Sequence, residues 1–243
     1  MKIKTLTNNL KHVAIIPDGN RRWARAQGFK QVWKGHEKGA KRLEEILKAA
    51  YDLKLACLTL WVGSFDNLTK RSPSEVKVLF KIYKEGFEKL LKEPKIHEEK
   101  VRVNILGRWQ EILSSEVKEV AQKLIESTKN YSRFFLTFLL AYNGTDEMQE
   151  CIRKIATLSR KQKNLKITPE LIKENLWTKD LPPVDLIIRT GCENDPHLSA
   201  GFMMWDSAYS QLHFTKTLFP DFGAQEFKKI IESYFRRERR FGA

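Results

Sequence analysis

Asp18, Gly19 and Asn20, followed by Arg21, Arg22 and Arg25, stand directly behind five residues of strand-forming, mostly apolar sequence, His12 to Ile16. This order reads as strand, turn and helix start. Such a junction points unpaired backbone N–H groups and the positive end of the helix dipole outward, and anions settle there. The three arginines strengthen that field, while Asp18 is the odd charge out. A lone carboxylate beside an anion site makes chemical sense when a divalent cation bridges it to a phosphate. Mg²⁺ is commonly held in this way, by one or two carboxylates plus substrate oxygens. The chemistry implied is metal-assisted handling of a diphosphate. The local pattern also fits a plainer alternative, because Asp-Gly is a common turn dipeptide and an arginine-rich first turn is often a solvated face.

The elements that must position these groups follow from periodicity. Residues 34–51 form a helix with Leu43, Ile46, Leu47 and Ala50 on one stripe, opened by Gly35, His36 and Gly39. Glycine allows close backbone approach there, and His36 offers a donor to a phosphate oxygen or simply faces solvent. Residues 56–62 are a buried strand, and 63–73 the loop at its carboxyl end, where ligands of open α/β sheets collect. A long helix over 74–91, capped by Ser74, carries Val76, Leu79, Phe80, Tyr83, Phe87 and Leu90 on one face. Further strands are expected at 101–106, 134–141, 184–188 and about 210–214. Helices are expected at 109–128, 146–160 and 168–176, with a last one after the turn at 219–222. The fifth strand delivers Arg189 and Thr190 to the same edge as Asp18.

At 243 residues with 42% hydrophobic content, the chain fits one α/β domain with a sizeable core. Its net charge of +14 favours polyanions, anionic lipid headgroups or phosphorylated substrates. Neither zinc-finger spacing nor an RNA-recognition run accompanies that charge, so nucleic acid is not expected as a partner. Cys57, Cys151 and Cys192 are odd in number and widely spaced, which fits reduced thiols in a cytoplasmic protein. The first eleven residues lack the apolar segment of a signal peptide, and no run approaches the roughly 18 apolar residues that span a bilayer. A cytoplasmic protein, at most peripheral to an anionic membrane, is the expectation.

The segment His-Val-Ala-Ile-Ile-x-Asp-Gly-Asn-x-Arg-Trp-Ala at 12–24, followed by Gly35-His36-x-x-Gly39, resembles the opening signature of the cis-prenyltransferases, the undecaprenyl diphosphate synthase family. Residues 64–73 resemble the family's Ser-x-Glu-Asn-Trp-x-Arg-Pro loop. Ser64, Asn67 and, after a one-residue extension, Arg71 carry over, with Leu68 in place of tryptophan. Asp185 to Thr190, Trp205 with Ala208-Tyr209-Ser210, Phe219 to Phe222, and Arg236 to Gly242 complete the match, which spans about residues 12–242.

The resemblance implies an α/β fold with a central, mostly parallel sheet of about six strands ringed by helices. It also implies a homodimer, Mg²⁺, and condensation of isopentenyl diphosphate onto an allylic diphosphate with cis stereochemistry and release of diphosphate. By the same resemblance Asp18 carries the metal, and Gly19, Asn20, Arg21, Arg22, Trp23 and His36 belong to the substrate site. Ser64 and Asn67 lie on a loop that closes over both substrates. Asn67 helps remove the proton, although an amide is no strong base, so a positioning role fits it better. Arg71 and Arg189 grip the acceptor diphosphate, with Ser199 beside them, and the closing Arg240-Phe241-Gly242 reaches the same site. The helix over 74–91 walls a tunnel for the growing hydrocarbon.

Three departures stand out. His197 occupies the place of an acceptor-binding arginine in a lengthened segment, Gly191 to Phe202. Gln211 replaces a glutamate that can share the metal. The basic residue usual between Trp23 and His36 falls at Lys30 or Gln31. These leave two alternatives: a changed acceptor, such as a second allylic diphosphate, or a non-catalytic subunit of a heteromeric prenyltransferase. The second should have lost Asp18 and its arginines, which this chain keeps.

Overall fold

Val13 and Ile15 pack into one apolar cluster and Ala14 and Ile16 into another, the period-two alternation of a strand covered on both faces. In the computed structural model, which describes residues 10–236, this strand is β1 (His12–Ile16). After it come α1 (Asn20–Ala26), α2 (Lys34–Asp52), β2 (Cys57–Gly63), α3 (Phe65–Lys70), α4 (Pro73–Lys92) and α5 (Pro94–Glu98). The middle of the chain forms β3 (Val101–Leu106), α6 (Trp109–Ile112), α7 (Ser115–Thr128), β4 (Phe134–Leu140) and α8 (Gly144–Lys161). Then follow α9 (Pro169–Asn175), β5 (Leu186–Arg189), β6 (Gln211–Phe214), a 3-10 turn at Phe219–Asp221, and α10 (Ala224–Arg236).

The six strands form one sheet in the order β3-β4-β2-β1-β5-β6, every neighbouring pair parallel. From β1 the chain builds outward to β2 on one side and later to β5 on the other. The junction of β1 and β5 is therefore the switch point, and the crevice outside the carboxyl ends of those strands is where such sheets bind ligands. On one face Ile46 of α2, Leu79 and Phe87 of α4, Leu124 of α7 and Phe227 of α10 cover Val13, Leu60, Ile105, Phe138 and Ile188. On the other, Phe202, Met203, Leu181 and Val184 cover Ala14, Cys57, Leu139 and Ile187.

Three local expectations are corrected. The 63–73 segment is not all loop: Ser64 accepts a hydrogen bond from the Asn67 amide at 3.0 Å and so starts α3. The cap of α4 is Ser72, which accepts from the Glu75 amide at 3.4 Å with Pro73 in the first turn, rather than Ser74. The helix expected over 109–128 divides where Leu113 turns extended (ψ 153°), leaving α6 and α7. Ser114 and Ser115 favour a helix start over a helix interior, which accounts for the break.

Candidate active site

β1 ends one residue before Pro17, and Gly19 then takes φ +102°, a left-handed conformation that swings the chain into α1. Asp18 sits at that corner. Its Oδ2 accepts from Arg189 Nη2 at 3.0 Å, its Oδ1 accepts from the Gly19 amide at 2.5 Å, and Arg22 Nη2 lies 3.4 Å away. Arg189 ends β5, so the register of β1 and β5 brings the carboxylate and the guanidinium together across 171 residues of sequence. The Thr190 hydroxyl fastens the turn by donating to Asp18 O at 2.8 Å, and Arg22 donates to Gly191 O at 2.6 Å.

Arg189 was expected to point free donors at an acceptor diphosphate. It is instead 7% exposed, and its Nη1 donates to His197 O at 2.6 Å and to Ser199 Oγ at 3.0 Å. Its Nε is buried with no partner among the described residues. His197 takes part through its carbonyl. Its imidazole is exposed, with Nδ1 3.1 Å from the Asp195 carboxylate and 2.8 Å from Asp195 O.

α1 and α2 meet more closely than ordinary side chains allow. A Cβ on Gly35 would lie 1.9 Å from Asn20 O, and one on Gly39 would lie 2.4 Å from Asn20 Oδ1. This contact sets His36 of α2 beside the arginines of α1. Ser64, Asn67 and Arg71 form a chain of donors along α3: Asn67 Nδ2 donates to Ser64 Oγ and Arg71 Nη2 donates to Asn67 Oδ1. Pro17, Asp18, Gly19, Asn20, Arg21, Arg22, Arg25, His36 and Arg71 line one cavity of about 260 Å³. Seven residues expected at the site from sequence thus share its wall, and Ser64 and Asn67 join it through Arg71.

Glu75, which the sequence pattern did not single out, lies beneath this cavity. Its Oε1 is 3.1 Å from both His36 Nε2 and Arg71 Nη1, and its Oε2 is 3.8 Å from Arg21 Nε. Burial pushes the Glu75 carboxyl up, but the His36 hydrogen bond and the charges of Arg71 and Arg21 outweigh it and hold the group below the usual carboxylate range. Burial lowers His36 and Arg71 from their ordinary values, with Glu75 opposing both shifts. The available signal was a carboxylate on the apolar stripe of α4: Glu75, Leu79, Tyr83 and Phe87 are buried, whereas Val76 is only partly so.

Trp23 stands apart from the cavity wall, with its indole donating to Asp221 Oδ1 at 2.9 Å and stacking on Phe29. Gln211 pairs with Leu186 at the far end of the two strands, three residues back from Arg189. That places it about 10 Å from the Asp18 edge along the strand, so within one chain it does not complete a metal site there. Its Oε1 is buried without a partner among the described residues. Arg240 and Gly242 lie outside the described residues. Among the described residues no three histidine, cysteine, aspartate or glutamate side chains converge as a metal cluster.

A family model described as putative undecaprenyl diphosphate synthase matches residues 16–242. The chain is 39% identical over 234 residues to a tritrans,polycis-undecaprenyl-diphosphate synthase (geranylgeranyl-diphosphate specific) of Pyrococcus furiosus, covering 96% of this chain and 86% of that one. Among solved structures it resembles a lavandulyl diphosphate synthase from Lavandula x intermedia in complex with dimethylallyl diphosphate. That match has a TM-score of 0.88 and 28% identity, over 96% of this chain and 98% of that one. A probable undecaprenyl diphosphate synthase from Campylobacter jejuni superposes with a TM-score of 0.76 at 27% identity, over 97% and 100% of the two chains. With its all-parallel six-stranded sheet and these matches over nearly its whole length, the chain belongs to the undecaprenyl diphosphate synthase family, the cis-prenyltransferases.

Proposed function

We propose that this enzyme condenses isopentenyl diphosphate with an allylic diphosphate, with cis stereochemistry and release of diphosphate, in a Mg²⁺-dependent reaction. The observation that carries the reading is the single cavity in which Asp18 faces Arg21, Arg22, Arg25, Arg71 and His36 at the switch point of the sheet. The allylic carbon–oxygen bond breaks only if the departing diphosphate is stabilised, and cationic donors already in place supply that without reorganisation. Arg21, Arg22 and Arg71 offer planar forks matched to phosphate oxygens, and the amides of the first turn of α1 add further donors. Asp18 is the one acidic side chain on the wall, so the donor set fits a cation that takes most of its oxygens from substrate and water. When bound, Mg²⁺ neutralises charge on the leaving group.

Arg189 and Ser199, bonded to each other and through Arg189 to Asp18, are the proposed acceptor-side groups, reached once Arg189 releases the carboxylate. Asn67 holds Arg71 and Ser64 in register and acts as a positioning residue. Purified protein incubated with Mg²⁺, isopentenyl diphosphate and a panel of allylic diphosphates, geranylgeranyl diphosphate among them, should yield cis-polyprenyl diphosphates by mass and stereochemical analysis. Absence of elongation with every primer would overturn the reading.

A second reading, a changed acceptor, is favoured by the lengthened Asp195-Pro196-His197 segment and by the likeness to a structure that holds dimethylallyl diphosphate. An imidazole grips phosphate less firmly than a guanidinium fork. Irregular products from dimethylallyl diphosphate alone, reduced in His197→Arg, would support it. Only regular cis products in both proteins would exclude it.

A homodimer accords with the exposed Tyr209, Met204 and Leu212 in and just before the edge strand β6. Peripheral contact of a cytoplasmic protein with anionic membrane accords with residues 151–169, which hold six lysines and arginines and no acidic residue. Ile152 and Ile167 in that segment are exposed. No helix among the described residues is long and apolar enough to cross a membrane.

A further inference from the structure

A carboxylate is costly where Glu75 lies. It is 2% exposed on the stripe of α4 that otherwise buries Leu79, Tyr83 and Phe87, and removing an ionised group from water is unfavourable unless partners compensate. The partners come from three separate pieces of chain: Arg21 from α1, His36 from α2, and Arg71 from the residue that ends α3. A burial made only for stability would be served as well by an apolar side chain of similar volume, because buried ion pairs often contribute little net stability. An ion cluster made only for stability would also hide its cations. Here the side chains of Arg21, Arg71 and His36 stay 44%, 20% and 11% exposed and line the cavity, and only Glu75 is sealed beneath them.

Each partner offers Glu75 one edge and keeps others for elsewhere. Arg71 gives Nη1 to Glu75 and Nη2 to Asn67. His36 turns Nε2 toward Glu75 at 3.1 Å and Arg71 Nη1 at 3.2 Å, so both contacts use the same ring nitrogen and Nδ1 takes no part in them. Arg21 approaches through Nε, which leaves its terminal nitrogens free of Glu75. The carboxylate therefore holds one nitrogen of each of three side chains that line the cavity, and sets how their remaining N–H groups meet an anion there.

We propose that Glu75 is a positioning residue for prenyl transfer. From beneath the cavity it fixes the orientation of Arg21, His36 and Arg71 toward the leaving diphosphate, and its negative charge limits how tightly the cavity retains that diphosphate after the bond breaks. This role rests on the diphosphate reading of the cavity. It differs from a structural role in its sign: loss of the charge strengthens ground-state binding while weakening catalysis, whereas damage to the fold weakens both.

The test compares wild type with Glu75→Gln, which keeps volume and loses charge, and Glu75→Asp, which keeps charge and loses reach. Inorganic pyrophosphate binding is measured by calorimetry, beside kcat and KM for the allylic diphosphate and the melting temperature. For Glu75→Gln we expect tighter pyrophosphate binding, an allylic KM unchanged or lower, and kcat reduced about tenfold to a hundredfold, because mispositioned donors cost rate more than affinity. Glu75→Asp should bind pyrophosphate as wild type does and recover part of the lost kcat. That variant carries the test if the glutamine protein fails to fold. Wild-type kcat in either variant, or parallel losses of kcat, pyrophosphate affinity and folded fraction, would overturn the role. Failure of the wild type itself to bind pyrophosphate would overturn the diphosphate reading, and the role with it.

Discussion

Removal of the Asp18 carboxylate should have two separable consequences. Asp18→Ala takes from Arg189 its counter-charge, and Arg189 is 7% exposed with its Nε already unpartnered. Deleting one partner of a fully buried pair costs about 3–5 kcal/mol. Here the Asp18 side chain is 39% exposed and Arg189 keeps His197 O and Ser199 Oγ. Solvent access and those remaining bonds bring the expected cost down to about 1–2 kcal/mol, a fall in melting temperature of roughly 2–8 °C for a chain of this size. Asp18→Asn keeps one oxygen for Arg189 but sets its Nδ2 donor against the Gly19 amide, and should melt between Asp18→Ala and wild type. Turnover separates the two effects. Both variants lack the anionic oxygens that would hold Mg²⁺, a contribution of several kcal/mol to charge stabilisation in the transition state, so kcat should fall at least about a hundredfold in each. The assay is thermal unfolding beside steady-state turnover at saturating substrate over a series of Mg²⁺ concentrations. Near-normal turnover in Asp18→Asn would refute the reasoning, as would a loss in Asp18→Ala no larger than its loss of folded protein.

Gly35→Ala would place a Cβ 1.9 Å from Asn20 O, where ordinary contact begins at 3.4 Å, so α1 must retreat by more than 1 Å from α2. A stability loss of about 1–3 kcal/mol and a drop in kcat of roughly a hundredfold are expected, and wild-type values of both would show that the helices yield without consequence. Phe138 packs edge-on to Phe87 of α4 at 5.6 Å, on the face opposite Phe135. If α4 walls the hydrocarbon tunnel, Phe138→Ala should lengthen the product and Phe135→Ala should not, as read by mass spectrometry of the prenyl chains; unchanged products from Phe138→Ala would mark the ring as ordinary core. His12 is fully buried between Pro182 O and Thr59 Oγ1, and burial lowers it from 6.5 to about 4. The unfolded chain then binds a proton that the folded chain refuses between those values, so stability falls as pH drops from 6.5 to 4, by about 3 kcal/mol from this residue alone. Denaturant unfolding across that range checks it, with His12→Gln expected to flatten the slope.

Much of the fold and one wall of the site were legible without coordinates, because they rest on short-range pattern. Apolar runs of five to seven residues, too short for helices and bounded by turn residues, read as strands buried on both faces, the stripes of α2 and α4 follow helical spacing, and Asp18 with its arginines belongs to one turn. Local competition was harder to read: the start of α3 at Ser64 and the choice of Ser72 over Ser74 turn on single capping bonds. What lay beyond the sequence are the pairings that strand order and helix approach create. The parallel register of β1 and β5 joins Asp18 to Arg189, so that the arginine proposed for the acceptor diphosphate is also the carboxylate's partner. The register of β5 and β6 sets Gln211 beside Leu186, three residues back from the edge that holds Asp18. The absence of side chains at Gly35 and Gly39 lets α1 and α2 close on each other, and only that approach converts Glu75, a charge misplaced on an apolar stripe, into the common anchor of Arg21, His36 and Arg71.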